Sequence, residues 1–197
     1  MKKLFSSSKN NKKILFLGYD KSETKLIDEL VKSNCQVFHS KKMINSTNFD
    51  LIISFGFRFI IPKNFLKKAR CPIINIHISY LPFNRGSHPN FWSFYENTPS
   101  GVSIHLVDEG VDTGPILFQK KVCFGDKEKT FAQTYQRLKL EAEKLFCQNI
   151  KNIITKSWVP KKQASGGSHH YKKDLPKEFA GWDSNIKDEI NRLNKLI

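Results

Sequence analysis

The sequence has no long hydrophobic run. No stretch approaches the roughly 20 consecutive apolar residues that a membrane-spanning helix requires, so no membrane span is expected. The first residues, MKKLFSSSKNNKK, are basic, but polar residues return before an apolar segment develops. No secretory leader is therefore expected, and residues 1–12 read as a short flexible leader. The four cysteines, Cys35, Cys71, Cys123 and Cys147, form no C-x-x-C pair. Scattered in this way they fit reduced thiols in the cytoplasm better than a disulfide framework. The six histidines contain neither H-E-x-x-H nor an i,i+4 pair, so no metal site is expected. Neither G-x-G-x-x-G nor a P-loop occurs, which removes the usual loops for NAD and ATP. There is no internal repeat and no sign of a second domain.

Acidic residues are also scarce, 18 against 33 lysines and arginines, for a net charge of +15. Such a surplus suits an anionic partner, but it also follows from a chain rich in Lys, Asn and Ile. The lysines are spread along the sequence and not gathered in one arm, so no nucleic-acid partner is expected. What remains is an ordinary composition, 39% hydrophobic and 26% charged. The 197 residues suffice for one domain with a full core.

The hydrophobic pattern predicts an α/β fold, a doubly wound and mostly parallel sheet. Strands are expected at residues 13–18, 36–39, 50–55, 73–79, 101–107 and 115–124. A first helix is expected at residues 22–33, with Leu26, Ile27, Leu30 and Val31 on one face. A long helix is expected at residues 130–155, opened by a Thr130–Gln133 capping box. Residues 158–174 read as loop. A last helix from residue 184 carries Ile186, Ile190, Leu193 and Ile197 on one face. That stripe serves either a homodimer or the chain's own core. The catalytic domain is thus expected over 13–157, with 158–197 as a loop and helix packed on it.

Three segments carry the chemistry. In residues 74–79 apolar and polar residues alternate, so Asn75, His77 and Ser79 share one strand face. A central parallel strand is normally apolar on both faces, so this polar face is either functional or lies on a half-exposed edge. In residues 81–86, Pro82 and Gly86 bracket a turn that offers Arg85 to an anion. Residues 108–114 hold Asp108, Glu109 and Asp112 between glycines, without the spacing of a calcium loop. A carboxylate set beside a histidine makes a workable acid–base pair, and the spacing alone leaves Asp108 and Asp112 equal candidates.

Together, N-x-H-x-S-x-L-P-x-x-R-G over residues 75–86 and D-E-G-V-D-T-G over 108–114 resemble the N10-formyltetrahydrofolate-dependent formyltransferase family. The resemblance covers roughly residues 50–125, more weakly the first strand. It implies the Rossmann-like fold of that family, with N10-formyltetrahydrofolate as co-substrate. It implies catalytic roles for Asn75, His77 and Asp112, and selects Asp112 over Asp108. It places Phe59, Ile60 and Ile61, with backbone near Val107 and Val111, around the folate. Core packing is the competing expectation for Phe57, Phe59 and Ile60.

Within the family the chain looks closest to the sugar N-formyltransferases, through residues 79–86, 89–94 and 57–62. Few residues follow the long helix, which argues against the methionyl-tRNA branch. The turn Gly18-Tyr19-Asp20-Lys21 departs from the glycinamide ribonucleotide branch. His88 stands where the sugar branch suggests an acidic residue. The implied substrate is a dTDP- or UDP-linked 4-amino-4,6-dideoxy sugar for surface glycans, with Arg85, His88 and Trp92 as its expected contacts; for Trp92, as a platform under the base, core packing is the competing expectation. The other readings are formylation of glycinamide ribonucleotide or methionyl-tRNA, and an inactive folate- or nucleic-acid-binding protein on the same fold.

Overall fold

The computed structural model describes residues 2–4, 11–125 and 127–196. Its strands are β1 (Lys2–Leu4), β2 (Lys13–Gly18), β3 (Gln36–Ser40), β4 (Leu51–Phe55), β5 (Ile73–His77), β6 (Arg85–Gly86), β7 (Gly101–Leu106), β8 (Ile116–Lys121) and β9 (His169–His170). Its helices are α1 (Leu26–Lys32), α2 (Lys63–Lys68), α3 (Pro89–Tyr95), α4 (Phe131–Thr155) and α5 (Ile186–Asn194). Seven strands form the main sheet in the order β1-β3-β2-β4-β5-β7-β8, and β6 pairs with β9 apart from it. The run β3-β2-β4-β5 is parallel. β1 at one side and β7 and β8 at the other run antiparallel to their neighbours.

The apolar run of β2 explains its central place. Ile14 and Phe16 enter one core layer, with α1 and α4 side chains, while Leu15 and Leu17 enter the other, against Phe65 of α2. A strand buried on both faces needs this unbroken hydrophobicity. Phe16→Ala would leave a cavity in a fully buried layer and cost about 3–5 kcal/mol.

α4 begins where the capping box places it. Thr130 Oγ1 accepts from the Gln133 N–H at 3.3 Å, and the Gln133 side chain accepts from the Thr130 N–H at 3.1 Å. Leu138, Ala142, Leu145 and Ile153 pack into the larger core, whereas Phe131 joins Phe91, Trp92 and Leu193 in a separate cluster. Ile186 and Ile190 pack on that second cluster, so the α5 stripe covers the chain's own core. Ile197 lies outside the described residues.

Three local expectations differ from the structure. α1 starts later, because Asp20 accepts from both the N–H and the hydroxyl of Ser22 and holds residues 20–24 in a turn that competes with helix. Lys2–Leu4, inside the expected flexible leader, pairs with β3 as an edge strand, Lys3 opposite Phe38. Three residues, two of them lysine, leave no apolar period to read; Met1 and residues 5–10 lie outside the described residues. The expected loop at 158–174 contains β9, and bridges at Ile116–Lys161 and Thr130–Asn185 fasten the C-terminal segment to the sheet and to α4. Among the described residues no helix is long and apolar enough to cross a membrane.

Candidate active site

β5 lies between β4 and β7, which removes the edge-strand reading of its polar face. The strand registers align Ser54 with Asn75 and Asn75 with His105. These three form a polar row across adjacent strands, and all three line a cavity of about 430 Å³. His77 lines it at the end of β5, and Asp112 reaches in from the loop after β7.

Asp112 is the hub. Its Oδ1 accepts from Asn75 Nδ2 at 3.1 Å and lies 3.3 Å from His105 Nε2. Its Oδ2 accepts from the Gly86 backbone N–H at 2.9 Å and lies 3.6 Å from His77 Nε2. The last distance is that of an ion pair and not of a hydrogen bond; His77 Nε2 instead lies 3.1 Å from the Asn84 carbonyl oxygen, to which it donates. Burial works against the Asp112 charge, but the charges of His77 and His105 and the hydrogen bonds from His105 and Gly86 outweigh it. They hold the carboxyl well below the usual carboxylate range. Asp108, the other candidate, accepts from Thr113 Oγ1 and the Gly110 N–H and thereby shapes the loop.

His105 was not singled out from sequence. Its Nδ1 lies 2.8 Å from the Leu106 carbonyl oxygen, and a carbonyl only accepts, so Nδ1 carries a hydrogen. Its Nε2 also lies 3.3 Å from Asn75 Nδ2. With Nε2 protonated, the ring donates to Asp112 and one Asn75 amide hydrogen is left for a ligand. With Nε2 bare, it accepts that hydrogen. The alternation of Ser103 and His105 in β7 was the available signal, the same pattern that marked β5.

The loop that delivers Asp112 is fixed from the C-terminal segment. Asp112 itself has φ 52°, in the left-handed region that Asp tolerates better than most residues. Gln163 Nε2 donates to the Asp112 and Gly114 carbonyl oxygens, both at 2.8 Å. Its Oε1 accepts from Arg85 Nε at 3.0 Å and from Arg85 Nη2 at 2.7 Å. Arg85 was expected to meet a substrate anion; the structure instead spends its guanidinium on Gln163, away from the cavity. Gly86 has φ 86°, and a Cβ there would stand 2.3 Å from the His170 carbonyl oxygen. That close approach is what lets β6 pair with β9 while its N–H reaches Asp112. Ser79 donates its hydroxyl to the Phe83 carbonyl and so closes the turn before Arg85.

The loops after β4 and β7 add an apolar lining. Phe59, Ile60, Ile61, Val107 and Val111 all line the cavity. Phe59 is 55% and Ile60 78% exposed, so core packing is excluded for both. Phe57 packs under the sheet with Ile61 and Val107. Two further expected contacts lie elsewhere. Trp92 is 7% exposed and stacked on His170 with ring centroids 3.9 Å apart, so it is core and not a platform for a base. His88 lines a neighbouring concavity and is absent from this one. At the far side of the main cavity the Tyr19 and Tyr135 hydroxyls bond each other, and Lys139 Nζ sits 4.8 Å over the Tyr19 ring. Burial, reinforced by Tyr135, pushes the Tyr19 phenol well above its ordinary value, so it stays neutral. Among the described residues, no group of three or more His, Cys, Asp or Glu could hold a metal ion.

The chain is similar in sequence and in fold to known proteins. A family model described as Formyl transferase matches residues 13–150. The dTDP-4-amino-4,6-dideoxyglucose formyltransferase of Mycobacterium tuberculosis is 30% identical over 127 residues, 64% of this chain and 53% of its own length. The methionyl-tRNA formyltransferase of Thermodesulfovibrio yellowstonii is 30% identical over 154 residues, 76% of this chain and 49% of its own length. The chain thus spans about half the length of these curated relatives. Among solved structures, the formyltransferase PseJ of Anoxybacillus kamchatkensis was determined with UDP-4,6-dideoxy-4-formamido-L-AltNAc and tetrahydrofolate. It superposes with a TM-score of 0.83 at 36% identity, over 91% of this chain and 98% of its own. A family match over most of the sequence, joined to the fold shared with this solved relative, makes the chain a member of the formyl transferase family.

Proposed function

We propose that the chain transfers a formyl group from N10-formyltetrahydrofolate to the amine of a nucleotide-linked 4-amino-4,6-dideoxy sugar, for surface glycan synthesis. The observation that carries this reading is the convergence of Asn75, His77 and Asp112 on one cavity whose other wall is exposed and apolar. Flat heterocycles are held by such walls with a few placed polar groups, and Phe59, Ile60 and Val111 supply the wall here. The solved relative bound to a UDP-linked 4-formamido sugar and tetrahydrofolate supports the substrate class. Four free cysteines support the cytoplasm as the place of action.

Formyl transfer joins the substrate nitrogen to the formyl carbon, breaks the bond from that carbon to N10, and moves one proton from the amine to the departing N10 or to solvent. Negative charge collects on the formyl oxygen meanwhile. In this reading Asn75 and His77 donate hydrogen bonds to that oxygen, as in an oxyanion hole. Asp112 supplies a negative charge beside His77 and attracts the amine as it turns positive. A carboxylate held below its ordinary range is a weak proton acceptor, so this electrostatic role outweighs proton removal, which it assists directly or through water.

The test is turnover with N10-formyltetrahydrofolate against dTDP- and UDP-linked 4-amino-4,6-dideoxy sugars, with glycinamide ribonucleotide and methionyl-tRNA alongside. Tetrahydrofolate release on a nucleotide-sugar alone is the expected result. Release only on one of the other two acceptors would move the protein to another branch of the family. Silence on all of them would overturn the reading.

A further inference from the structure

One nitrogen of the His77 ring has two acceptors near it. Nε2 lies 3.1 Å from the Asn84 carbonyl oxygen and 3.6 Å from Asp112 Oδ2. A carboxylate is the stronger acceptor, so the carbonyl takes the hydrogen only by standing closer. What holds it there is Ser168, in the C-terminal segment. The Asn84 N–H donates to Ser168 Oγ at 3.0 Å, and the Ser168 hydroxyl donates back to Asn84 Oδ1 at 3.1 Å. Asn84 Nδ2 donates to Thr98 Oγ1 at 2.8 Å. The Arg85 N–H, one residue on, donates to the Ser168 carbonyl at 3.0 Å. Asn84 is thereby fixed at 1% exposure with φ 54°, in the left-handed region that Asn visits more readily than most residues. None of the residues that make these bonds lines the main cavity. The other ring nitrogen of His77, Nδ1, has no hydrogen-bond partner among the described residues, yet it is not sealed in as the unpaired Asn90 Oδ1 and Trp92 Nε1 are.

We propose that Ser168 and Asn84 are positioning residues for His77: together they keep a hydrogen on Nε2 and turn Nδ1 to the reacting atoms. The inference rests on the formyl-transfer reading and adds to it which atom of His77 acts. A carbonyl only accepts, so Nε2 carries a hydrogen in every state of the ring that is bound to it. The neutral ring then presents a bare Nδ1, and the charged ring an Nδ1–H. Donation to the formyl oxygen therefore comes from Nδ1 of the charged ring; the neutral ring can only accept there. Released from Asn84, the Nε2 hydrogen turns to Asp112 Oδ2, and the ring turns with it. Ser168 thus reaches the chemistry through one carbonyl, as Gln163 reaches it through the loop of Asp112.

The test reads the ring first and turnover second. Nitrogen–proton correlation spectra of the full chain, labelled with nitrogen-15 histidine, locate the ring hydrogens of His77; its signals are those that vanish in His77→Asn. The native chain is expected to carry the hydrogen on Nε2 at about pH 9, where an ordinary imidazole is neutral. Ser168→Ala is expected to shift the signals of both His77 nitrogens. It should lower kcat about tenfold and change either KM by less than about twofold, since misplacing a reacting group costs rate. Ser168→Thr keeps the hydroxyl and should restore both readouts. Asn84→Gly keeps the left-handed backbone without the side chain, and should resemble Ser168→Ala. Circular dichroism checks that each variant folds. A ring hydrogen on Nδ1 alone, or a His77 spectrum unchanged in Ser168→Ala, would overturn the proposal. So would native kcat in both Ser168→Ala and Asn84→Gly, or a loss that Ser168→Thr does not reverse. If the spectra respond as expected but no acceptor is formylated, the hold on the ring stands and the formyl-transfer reading falls.

Discussion

The two walls of the main cavity are held in different ways. On one, Asn75, His77, His105 and Asp112 fix each other at 3.1 to 3.6 Å, and Gln163 and Gly86 fix Asp112 from behind. On the other, Phe59, Ile60 and Val111 stand exposed on loops after β4 and β7. Groups that act on developing charge must be in place before the reaction, because reorientation during it costs the rate they provide. Apolar groups that grip a flat ring need only area. The polar wall should therefore govern kcat and the apolar wall KM for the folate.

The sharpest break of that comparison is in the network itself. His77→Asn should lower kcat by about a hundredfold or more, the scale of an oxyanion or acid–base group, without moving KM for the folate by more than a few fold. Steady-state kinetics on both substrates reads this directly. A comparable rise in KM would blur the two walls into one.

Stability offers a second route. Asp112 ionises below its unfolded-state value, so its charge contributes stability that is full above the unfolded value, about pH 4. That contribution is lost as pH falls toward the folded value. Asp112→Asn should therefore lower the urea midpoint at pH 7, with a smaller difference from the native protein at pH 3. A difference independent of pH would mean that the network stabilises nothing through charge.

The fold was legible because β2 and β4 announce themselves as apolar runs and because the Thr130–Gln133 box marks the start of α4. β5 also showed its polar face. The rest lay in features without period. α3 is seven residues long and buried nearly all round, so it has no polar face to read. β6 and β9 are two residues each and exist only as partners. In the site, Asn75, His77 and Asp112 were marked by spacing, but spacing could not show that Arg85 would be consumed by Gln163. That pair is separated by 78 residues and depends on how the C-terminal segment crosses the sheet. His105 was readable in principle, since Ser103 and His105 alternate as Asn75 and His77 do.

Gln163 sharpens the comparison from behind the polar wall. Gln163→Leu removes the donors to two loop carbonyls and the acceptor for Arg85, and should lower kcat about tenfold with little change in either KM. Gln163→Glu keeps the Arg85 contact but sets a carboxylate against carbonyl oxygens, and should recover nothing. Rescue by Glu would locate the effect in Arg85 and not in the Asp112 loop. The smallest effect belongs to the apolar wall. Ile60→Ala should raise KM for the folate a few fold at unchanged kcat, with the melting temperature within about 1 °C, since exposed substitutions rarely move stability beyond about 0.5 kcal/mol.

The separation of chemistry from binding is tested most directly in one protein, Asp112→Asn, by measuring its tetrahydrofolate affinity and its single-turnover formyl transfer side by side. The account predicts an affinity within about threefold of the native chain and transfer slowed about a hundredfold or more. Transfer at the native rate, or folate affinity lost in step with transfer, would contradict it.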